Sequence, residues 1–504
     1  MAALRAAKAS LLFTLAMLMC ACSQDKPGPG ELRIGLPQTP MSVDPRFATD
    51  AASHRIQELV HCSLVRLDEH FQPQPEAASS WRQPDPLTWL ITLKHDLVFH
   101  DGSQVLAGDV ASTIQAVLDE KLASPLRAGF SAIREIVAIS DHELVIHLSR
   151  SDASLLTRLA IGILPASWAS RAHTARDTIG CGPFRLASWP QAGPVLQRSS
   201  PTSSSSISQL RFITVKDPIT RALKLARSEL DLVQDDLPPH VLPYLQKHDH
   251  LHLISRPSTT FSYIGINLQD QALKNVRVRQ ALALSIDRKR LKKALFGDLP
   301  VLAETVLPKD HWATASLPLT ACDTDQAEDL LDEAGYPRGK DGIRLRLNYR
   351  TSTNPTRLQL VTAIAEQWRK IGVDIHIESL EWGGFYARIK RGDFQLFSLS
   401  WVGTQDPDIY RLILHSDMWP PNGANRGRYS NPQVDDWLDE AAQSPSRQAQ
   451  QNLYARIQSQ MARDQVYIPL WYEPLVAVHG ARLQRYGVTS DGSFRGLLSA
   501  SLRP

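Results

Sequence analysis

The middle of the chain carries the clearest change in hydrophobic period. Residues 263–268 form a short, mostly apolar run that predicts a buried strand. Along residues 276–291 the apolar positions recur near helical spacing, which predicts a surface helix. Asn275 can cap its start, and the cations at 288–290 would interact favourably with the dipole at its end. This strand–helix step fits either a crossing between two lobes or an ordinary unit within one domain.

A second stretch alternates strand and helix patterns. Residues 345–349, 373–379 and 394–401 have strand patterns, whereas residues 355–371 and 385–390 between them have helical ones. This β–α–β–α–β order predicts a partly parallel sheet covered by helices, and therefore an α/β fold. The chain has 504 residues, too many for one compact core, so we expect two or three substructures.

The composition is that of a folded protein, with 43% hydrophobic and 21% charged residues. The net charge of +3 implies no strong attraction to nucleic acid, so we expect no nucleic-acid partner. The sequence has no GxSxG nucleophile motif, no P-loop and no Cys/His spacing typical of zinc. It therefore predicts neither an enzyme nor a metal or cofactor site.

The N-terminus has the pattern of an export signal. Arg5 and Lys8 precede an apolar run that is too short to span a bilayer. The sequence around Cys22 resembles a bacterial lipobox, which would make Cys22 a lipidated membrane anchor after removal of residues 1–21. A soluble secreted protein cleaved nearby is the alternative. Ser23 after the cysteine would permit sorting to the outer membrane, so the inner and the outer membrane both stay open.

Eight short motifs occur in an order that resembles one family. They begin at Val65 (VRLD), Phe99 (FHDG), Ala107 (AGDV), Ile179 (IGCGPF), Ser228 (SELDL), Val276 (VRVRQALALSIDR), Glu333 (EAGYP) and Glu381 (EWGGF). Together they resemble family 5 of the extracellular solute-binding proteins, the oligopeptide-, dipeptide- and nickel-binding components of ABC importers. The resemblance extends from about residue 32 to about residue 488.

This resemblance implies a two-lobe α/β fold of the type II periplasmic-binding-protein kind, with an extra subdomain inserted in the first lobe. The ligand would be enclosed between lobes that close by hinge motion. Carried onto this chain, the parts would be a signal peptide (1–21), a tether (22–30), lobe I (31–55, 178–262 and 480–504), an inserted subdomain (56–177), lobe II (269–474) and hinge strands (263–268 and 475–479).

The resemblance also indicates a ligand loop just after a strand that ends at Trp401. Peptide-binding relatives usually place a carboxylate three residues after this Trp, where it holds the peptide's ammonium group. Here that position is Thr404, and Asp406 or Asp408 could take the role if the loop runs differently. The alternative is that the two aspartates form a turn that opens a helix.

Four further residues are candidates for the ligand site. Arg350 lies near a strand end where dipeptide-binding relatives hold the ligand carboxylate, although it could be a surface arginine. Trp382 follows the next strand and could belong to the core instead. Arg426 lies in a loop that is either at the cleft edge or a surface turn. Tyr263 begins the predicted hinge strand.

Three cysteines follow the export signal, namely Cys62, Cys181 and Cys322, so at least one stays unpaired. The resemblance places Cys62 early in the inserted subdomain and Cys181 just after it. Because both flank the same insertion, a disulfide between them is our hypothesis.

The predicted function is the substrate-binding component of an ABC importer for oligopeptides or dipeptides. It would act as a monomer anchored on the periplasmic side of the membrane, with a permease and its ATPase as partners. A receptor or sensor for a non-peptide or metal-chelate solute is the alternative, motivated by Thr404. A periplasmic hydrolase is a third hypothesis, which the lack of a nucleophile–base pair disfavours.

Overall fold

The computed structural model describes residues 27–172, 175–200, 206–235, 237–444 and 446–503. The predicted signal peptide and Cys22 lie outside the described residues, as do tether residues 23–26. Within these ranges, no helix is both long enough and apolar enough to cross a membrane.

Strands and helices are interspersed along the described chain. The strands are β1 (Glu31–Leu36), β2 (Val65–Leu67), β3 (Pro73–Pro75), β4 (Ala78–Asp85), β5 (Thr88–Leu93), β6 (Ile133–Ala138), β7 (Glu143–Leu148), β8 (Phe184–Ser188), β9 (Val195–Arg198), β10 (Gln209–Thr214), β11 (Leu232–Gln234), β12 (Leu251–Ile266), β13 (Val301–Leu302), β14 (Leu345–Ser352), β15 (Val373–Leu380), β16 (Leu396–Trp401), β17 (Tyr467–Gly480), β18 (Leu483–Gln484) and β19 (Ser501–Leu502). The helices are α1 (Ala51–Val60), α2 (Ala107–Leu118), α3 (Leu155–Arg158), α4 (Ala166–Ala169), α5 (Pro218–Ala226), α6 (Leu242–Leu245), α7 (Val276–Leu284), α8 (Arg288–Phe296), α9 (Thr324–Glu333), α10 (Pro355–Lys370), α11 (Trp382–Arg391), α12 (Ile409–Leu414), α13 (Pro432–Gln443) and α14 (Arg447–Arg463).

Most strands join one large mixed sheet, in the order β15-β14-β16-β12-β17-β11-β1-β10-β9-β8. We call β1 with β8–β11 the first half of this sheet, and β14–β16 the second half. In the second half β14 pairs in parallel with both β15 and β16, as the β–α–β–α–β pattern predicts. In the first half β1 pairs in parallel with β10 and β11. The α/β prediction with a partly parallel sheet is confirmed.

Two long antiparallel strands, β12 and β17, bridge the halves. Residues 251–257 of β12 pair with residues 474–480 of β17, and this part of β17 also pairs with β11 of the first half. Residues 261–265 of β12 pair with residues 467–472 of β17, and residues 261–266 pair with β16 of the second half. The outer pairing of the bridge therefore changes part-way along its length: β16 flanks β12 only along residues 261–266, and β11 flanks β17 only along residues 477–479.

The change of neighbour occurs where Pro257 lies opposite Pro474. Neither proline has a backbone N–H, so the hydrogen-bond ladder is interrupted, and its register shifts between Pro257 and Phe261. Of the predicted hinge segments, residues 263–266 lie on β12 and residues 475–479 lie on β17, on opposite sides of the two prolines. An apolar pattern marks a buried strand, but it does not mark where that strand changes neighbours.

The inserted subdomain is a four-stranded antiparallel sheet, in the order β4-β5-β7-β6, packed with α2 on its own apolar core. Helix α1 does not belong to it, because Ile56, Leu59 and Val60 are buried in the core of the first half. The predicted start of the insertion at residue 56 is therefore wrong. The subdomain core begins only at Cys62.

Cys62 and Cys181 form a disulfide at the base of the subdomain, with their Cα atoms 5.1 Å apart. This is the pair that the sequence led us to propose, and Cys322 is free and exposed. A Cβ atom on Gly180 would lie 2.0 Å from the carbonyl oxygen of Val60. Only glycine allows the chain to pass so close to the end of α1, which explains the glycine before Cys181.

The segment predicted as one helix, residues 276–291, forms the two helices α7 and α8. Asn275 caps α7 as predicted, by accepting a backbone N–H. Asp287 then caps a second helix by accepting the N–H of Arg290. The cations at 288–290 thus begin a helix, so the predicted dipole interaction at a helix end is wrong.

Replacing both Cys62 and Cys181 by alanine should lower the free energy of unfolding by about 2–4 kcal/mol, because the disulfide restricts the unfolded chain. Urea denaturation followed by circular dichroism measures this difference. Cys322→Ser is the matched control and should leave the transition midpoint unchanged. A double variant as stable as the wild type would contradict the assigned structural role.

Candidate functional site

The loop after β16 lies against the bridge between the two halves. The Thr404 N–H donates to the carbonyl oxygen of Thr259, with a nitrogen–oxygen distance of 3.3 Å. Gly403 has φ of +68°, a conformation that glycine adopts without strain, so the chain can turn sharply there. Val402 projects from this turn and is 79% exposed. Residues 402–405 are therefore held beside the point where β12 changes neighbours.

A cavity of about 720 Å³ opens at this crossing, and we call it the central cavity. Its walls come from α1 and the segment after β11 on one side, from β12 and β17 at the crossing, and from Val402, Gly403 and Gln405 on the other side. Its size is within the range of small-molecule sites. Its polar wall includes Arg55, Glu58, Asp235, Gln405, Glu473 and Asp491.

A second cavity, of about 270 Å³, extends from the central cavity toward the inserted subdomain, and we call it the inner cavity. The two cavities share the lining residues His54, Glu58, Gln405 and Asp491. We call this group the junction. A solute at the junction would contact α1, the loop after β16 and the C-terminal segment together.

The arginines beside the junction are already paired. Arg55 forms an ion pair with Asp235, and Arg495 forms one with Glu76. Burial raises the pKa of the Glu58 carboxyl to about 8, and the nearby Asp491 carboxylate adds to this shift. In the empty protein Glu58 is therefore largely protonated at neutral pH.

A second polar network ties the bridging strands together. Arg357, in the first turn of α10, donates to the Glu473 carboxylate at 2.8 Å and to the Ser400 hydroxyl at 2.7 Å. The Ser262 hydroxyl donates to the same carboxylate oxygen at 2.6 Å. Although burial opposes its ionisation, Arg357 and the hydroxyls lower the pKa of Glu473. This carboxylate joins β12, β16 and β17 beside the cavity.

Asp406 lies in the predicted ligand loop, but it does not line the central cavity. Its carboxylate accepts a hydrogen bond from the Ser154 hydroxyl and pairs with the Arg158 guanidinium at 3.0 Å. Both partners belong to the inserted subdomain, so Asp406 fastens the subdomain to the second half. The hypothesis that Asp406 receives the ligand ammonium is therefore corrected.

Asp408 faces a different cavity, of about 730 Å³, which lies between the subdomain and the second half. Burial raises the pKa of its carboxyl to about 6, and the nearby Asp406 adds to the shift. Thr404 is buried, so it does not supply an exposed group either. None of the three predicted positions of the missing carboxylate lines the central cavity.

The four predicted aromatic and cationic residues Tyr263, Trp382, Trp401 and Arg426 meet beneath the loop. Arg426 donates to the hydroxyls of Tyr263 and Tyr386, each at 3.2 Å, and its guanidinium lies 4.6 Å from the centre of the Trp401 ring. Trp382 stacks on Tyr386 at 5.6 Å. Tyr263 is fully buried and Arg426 nearly so, whereas Trp382 is 54% exposed. None of the four lines the central or the inner cavity.

Arg350 lies within β14 and is also removed from the cavities. Its guanidinium pairs with the carboxylates of Glu378 and Asp393, each at 2.7 Å. Two carboxylates already balance its charge, so the prediction that it holds a ligand carboxylate is not supported by its position. Its neighbours on β15 and after α11 could not be recognised from the local sequence.

Residues 72–418 match the family of bacterial extracellular solute-binding proteins, family 5. The chain belongs to this family. Membership makes it a solute-binding protein and not an enzyme. Within the parts of the chain that the structure describes, no group of three His, Cys, Asp or Glu side chains is placed to hold a metal ion.

The similarity to characterised relatives covers nearly the whole chain. The oligopeptide-binding protein AppA of Bacillus subtilis is 22% identical over 504 residues, and the glutathione-binding protein GsiB of Pectobacterium atrosepticum is 27% identical over 478 residues. Each match covers 92% of both chains.

Solved structures show the same fold. The ABC transporter substrate-binding protein CtaP from Listeria monocytogenes aligns with a TM-score of 0.84 at 23% identity, covering 95% of this chain and 100% of that one. AppA from Bacillus subtilis in complex with a nonapeptide aligns with a TM-score of 0.72 at 22% identity, with the same coverage. These likenesses confirm the two-lobe solute-binding fold class.

The sequence pattern missed the cavity residues Glu58, Asp491 and Glu473. Glu473 carried one usable signal, because it is a lone carboxylate in the otherwise apolar strand β17. Glu58 and Asp491 carried none, since an acidic residue on an amphipathic helix or in a C-terminal loop usually faces solvent. Only the packing of distant segments brings them to one cavity.

Replacing Asp408 by asparagine should stabilise the protein above about pH 6. The folded state keeps the Asp408 proton up to about pH 6, whereas the unfolded state loses it near the ordinary aspartate pKa of 3.8. The folded state therefore binds more protons between these values, and its stability falls as the pH rises through that window. Asp408→Asn removes this contribution, so its Tm advantage over the wild type should grow from pH 4 to pH 6.

Thermal denaturation across this pH range measures the difference between variant and wild type. The exposed Asp329→Asn is the matched control and should show a flat difference. A flat or opposite trend for Asp408→Asn would contradict the assigned burial.

Proposed function

We propose that the protein captures peptides or peptide-like solutes in the central cavity and delivers them to the permease of an ABC importer, with its ATPase as the further partner. One observation carries the proposal: the central cavity is lined by α1 and the segment after β11 on the first-half side, by the loop after β16 on the second-half side, and by the bridge between them. A solute bound there contacts both sides at once. The names of the relatives, which bind oligopeptides or glutathione, support a peptide-like ligand.

The opposed prolines supply the point of bending. Pro257 and Pro474 leave the β12–β17 ladder without hydrogen bonds where the strands change neighbours. The two halves act as the two lobes, with β12 and β17 as the hinge strands. Ligand binding shifts the equilibrium toward the closed state only because the ligand contacts both lobes there and one lobe in the open state.

The charges of the cavities suit a zwitterionic solute. Glu58 and Asp491 lie at the junction, and Arg66 lines the inner cavity as an exposed cation. Free peptides carry an ammonium group at one end and a carboxylate at the other, so both kinds of group have a counterpart here. Charge-assisted hydrogen bonds of this kind are about twice as strong as neutral ones.

Thr404, in place of the carboxylate usual in peptide-binding relatives, favours one competing function. In this alternative the protein is a receptor or sensor for a non-peptide solute or a metal chelate. Because the described residues offer no ready metal-ligand group, a metal would have to arrive with its own chelator. The cavity would then recognise the chelator.

Cys22 is the proposed lipid anchor, with a short Pro/Gly-containing tether linking it to β1. Anchoring would hold a monomeric receptor on the periplasmic side of the inner or the outer membrane. A receptor on the inner membrane would meet its permease by lateral diffusion.

Native mass spectrometry of protein purified without added ligand should show bound species whose masses match short peptides. Unfolding in urea followed by refolding should remove them, and the same peptides added back should restore the bound peaks. A single non-peptide mass or a metal-containing species would favour the alternative function. Absence of any peptide after incubation with a peptide mixture would contradict the proposal.

Replacing Cys22 by alanine should move the protein from the membrane fraction to the soluble fraction of its bacterial host. In the proposed anchor the acyl chains are carried by Cys22, so removing this cysteine removes the membrane attachment. Fractionation and immunoblotting measure the distribution, with Cys322→Ser as the matched control. Soluble wild-type protein, or a Cys22→Ala variant that stays with the membrane, would contradict the anchor.

A further inference from the structure

The junction contains one carboxyl oxygen that no donor in the described part of the chain satisfies. The Oε2 atom of Glu58 is buried and has no hydrogen-bond partner among the described residues. Its Oε1 atom lies 3.5 Å from Nε2 of His54, whose side chain is 54% exposed. The Glu58 side chain is only 19% exposed and lines both cavities. Buried acceptors of this kind normally find a donor.

A second unpaired acceptor lies beside it. The Oε1 atom of Gln57 also lacks a hydrogen-bond partner in the described part of the chain, and this residue is 4% exposed. Gln57 lines the inner cavity. Two adjacent residues of α1 thus offer acceptor atoms to a solute, and a donor-rich group would satisfy both.

The charges around the junction leave an excess of negative groups. Arg55 and Arg495 are each paired with a carboxylate other than Glu58. Asp491 accepts the N–H of Ser493 but forms no ion pair with a Lys or Arg in the described ranges. A cationic solute would therefore meet Glu58 and Asp491 without competing against a protein cation bound to either.

The opposite wall of the cavity provides no substitute carboxylate. Thr404 is uncharged and buried, Asp406 is paired with Arg158, and Asp408 faces a different cavity. In the central and inner cavities, the carboxylates free to receive a cation are therefore on the side of α1 and the C-terminal segment.

We propose that Glu58 and Asp491 bind the primary ammonium group of the ligand, with the Gln57 carbonyl as an additional acceptor. This inference rests on the proposed peptide-binding function and deepens it. It places the ligand's ammonium at the first half of the sheet, opposite the loop after β16. A primary ammonium has three donors, which matches the acceptors available at the junction.

Binding of an ammonium group should release a proton. The empty protein holds Glu58 protonated because burial raises its pKa to about 8, with Asp491 and Glu76 reinforcing the shift and Arg495 and Arg55 opposing it. A bound ammonium favours the carboxylate, so this pKa falls on binding. Affinity should therefore increase as the pH rises toward 8, and the calorimetric enthalpy should depend on the ionisation enthalpy of the buffer.

The probes are a mixture of lysine-free tri- to pentapeptides with free N-termini and the same mixture after N-acetylation. Refolded, ligand-free protein is incubated with each mixture, and binding is measured by native mass spectrometry and calorimetry. Wild type should bind the free peptides about tenfold to hundredfold more tightly than the acetylated ones. Glu58→Gln should lose most of this preference and all of the proton release.

Glu135→Gln is the matched control, because Glu135 is exposed on β6 of the subdomain and lines none of the three cavities described above. It should behave as the wild type, and circular dichroism and Tm should show both variants folded. A third probe, an acetylated mixture containing lysine, distinguishes the source of the ammonium. Its tight binding by the wild type but not by Glu58→Gln would support the subsite with a lysine side chain as the ligand group.

Two results would overturn the inference while the proposed function stands. One is equal binding of free and acetylated peptides by the wild type. The other is an unchanged preference and unchanged proton release in Glu58→Gln. If the wild type binds none of the three mixtures, the proposed peptide-binding function fails, and the ammonium subsite falls with it.

Discussion

The antiparallel pairing of β12 with β17 is the interaction on which the rest of the structure depends. It is the link through which the second half of the large sheet continues into the first, and Pro257 faces Pro474 between the part flanked by β11 and the part flanked by β16. A ladder without hydrogen bonds at one point can bend there while the flanking pairs keep their register. The central cavity opens at this same point, because residues 258–260 and Pro474 form part of its wall.

The ion pairs within the protein then decide which charged side chains are left to contact a solute. Arg350 is held by two carboxylates of the second half, and Asp406 is held by Arg158 of the subdomain. These pairs remove from the cavity the residues that a linear comparison with peptide-binding relatives would choose. Glu58 and Asp491 remain without cations of their own, which gives the junction its acidic character.

Much of the local structure could be predicted from the sequence because it depends on neighbouring residues. In the strand β1, the helix α2 and the β14–α10–β15 unit, the spacing of the apolar residues distinguishes strand from helix. The prediction of a single helix for residues 276–291 was wrong, because the side chain of Asp287 caps a new helix there. The amphipathic pattern runs through this point without interruption. The Cys62–Cys181 disulfide could be predicted because both cysteines flank one insertion. The distance between them is known only from the folded structure.

The sequence by itself determined the family, the α/β class and the loop after Trp401 that borders the cavity. Only the tertiary structure decided which side chains face that cavity. The reason is physical: the direction of a loop side chain depends on the partner that satisfies it, and these partners lie far away in the chain. Arg158 draws Asp406 toward the subdomain, whereas Glu58 on α1 and Asp491 near the C-terminus meet at one junction through packing alone.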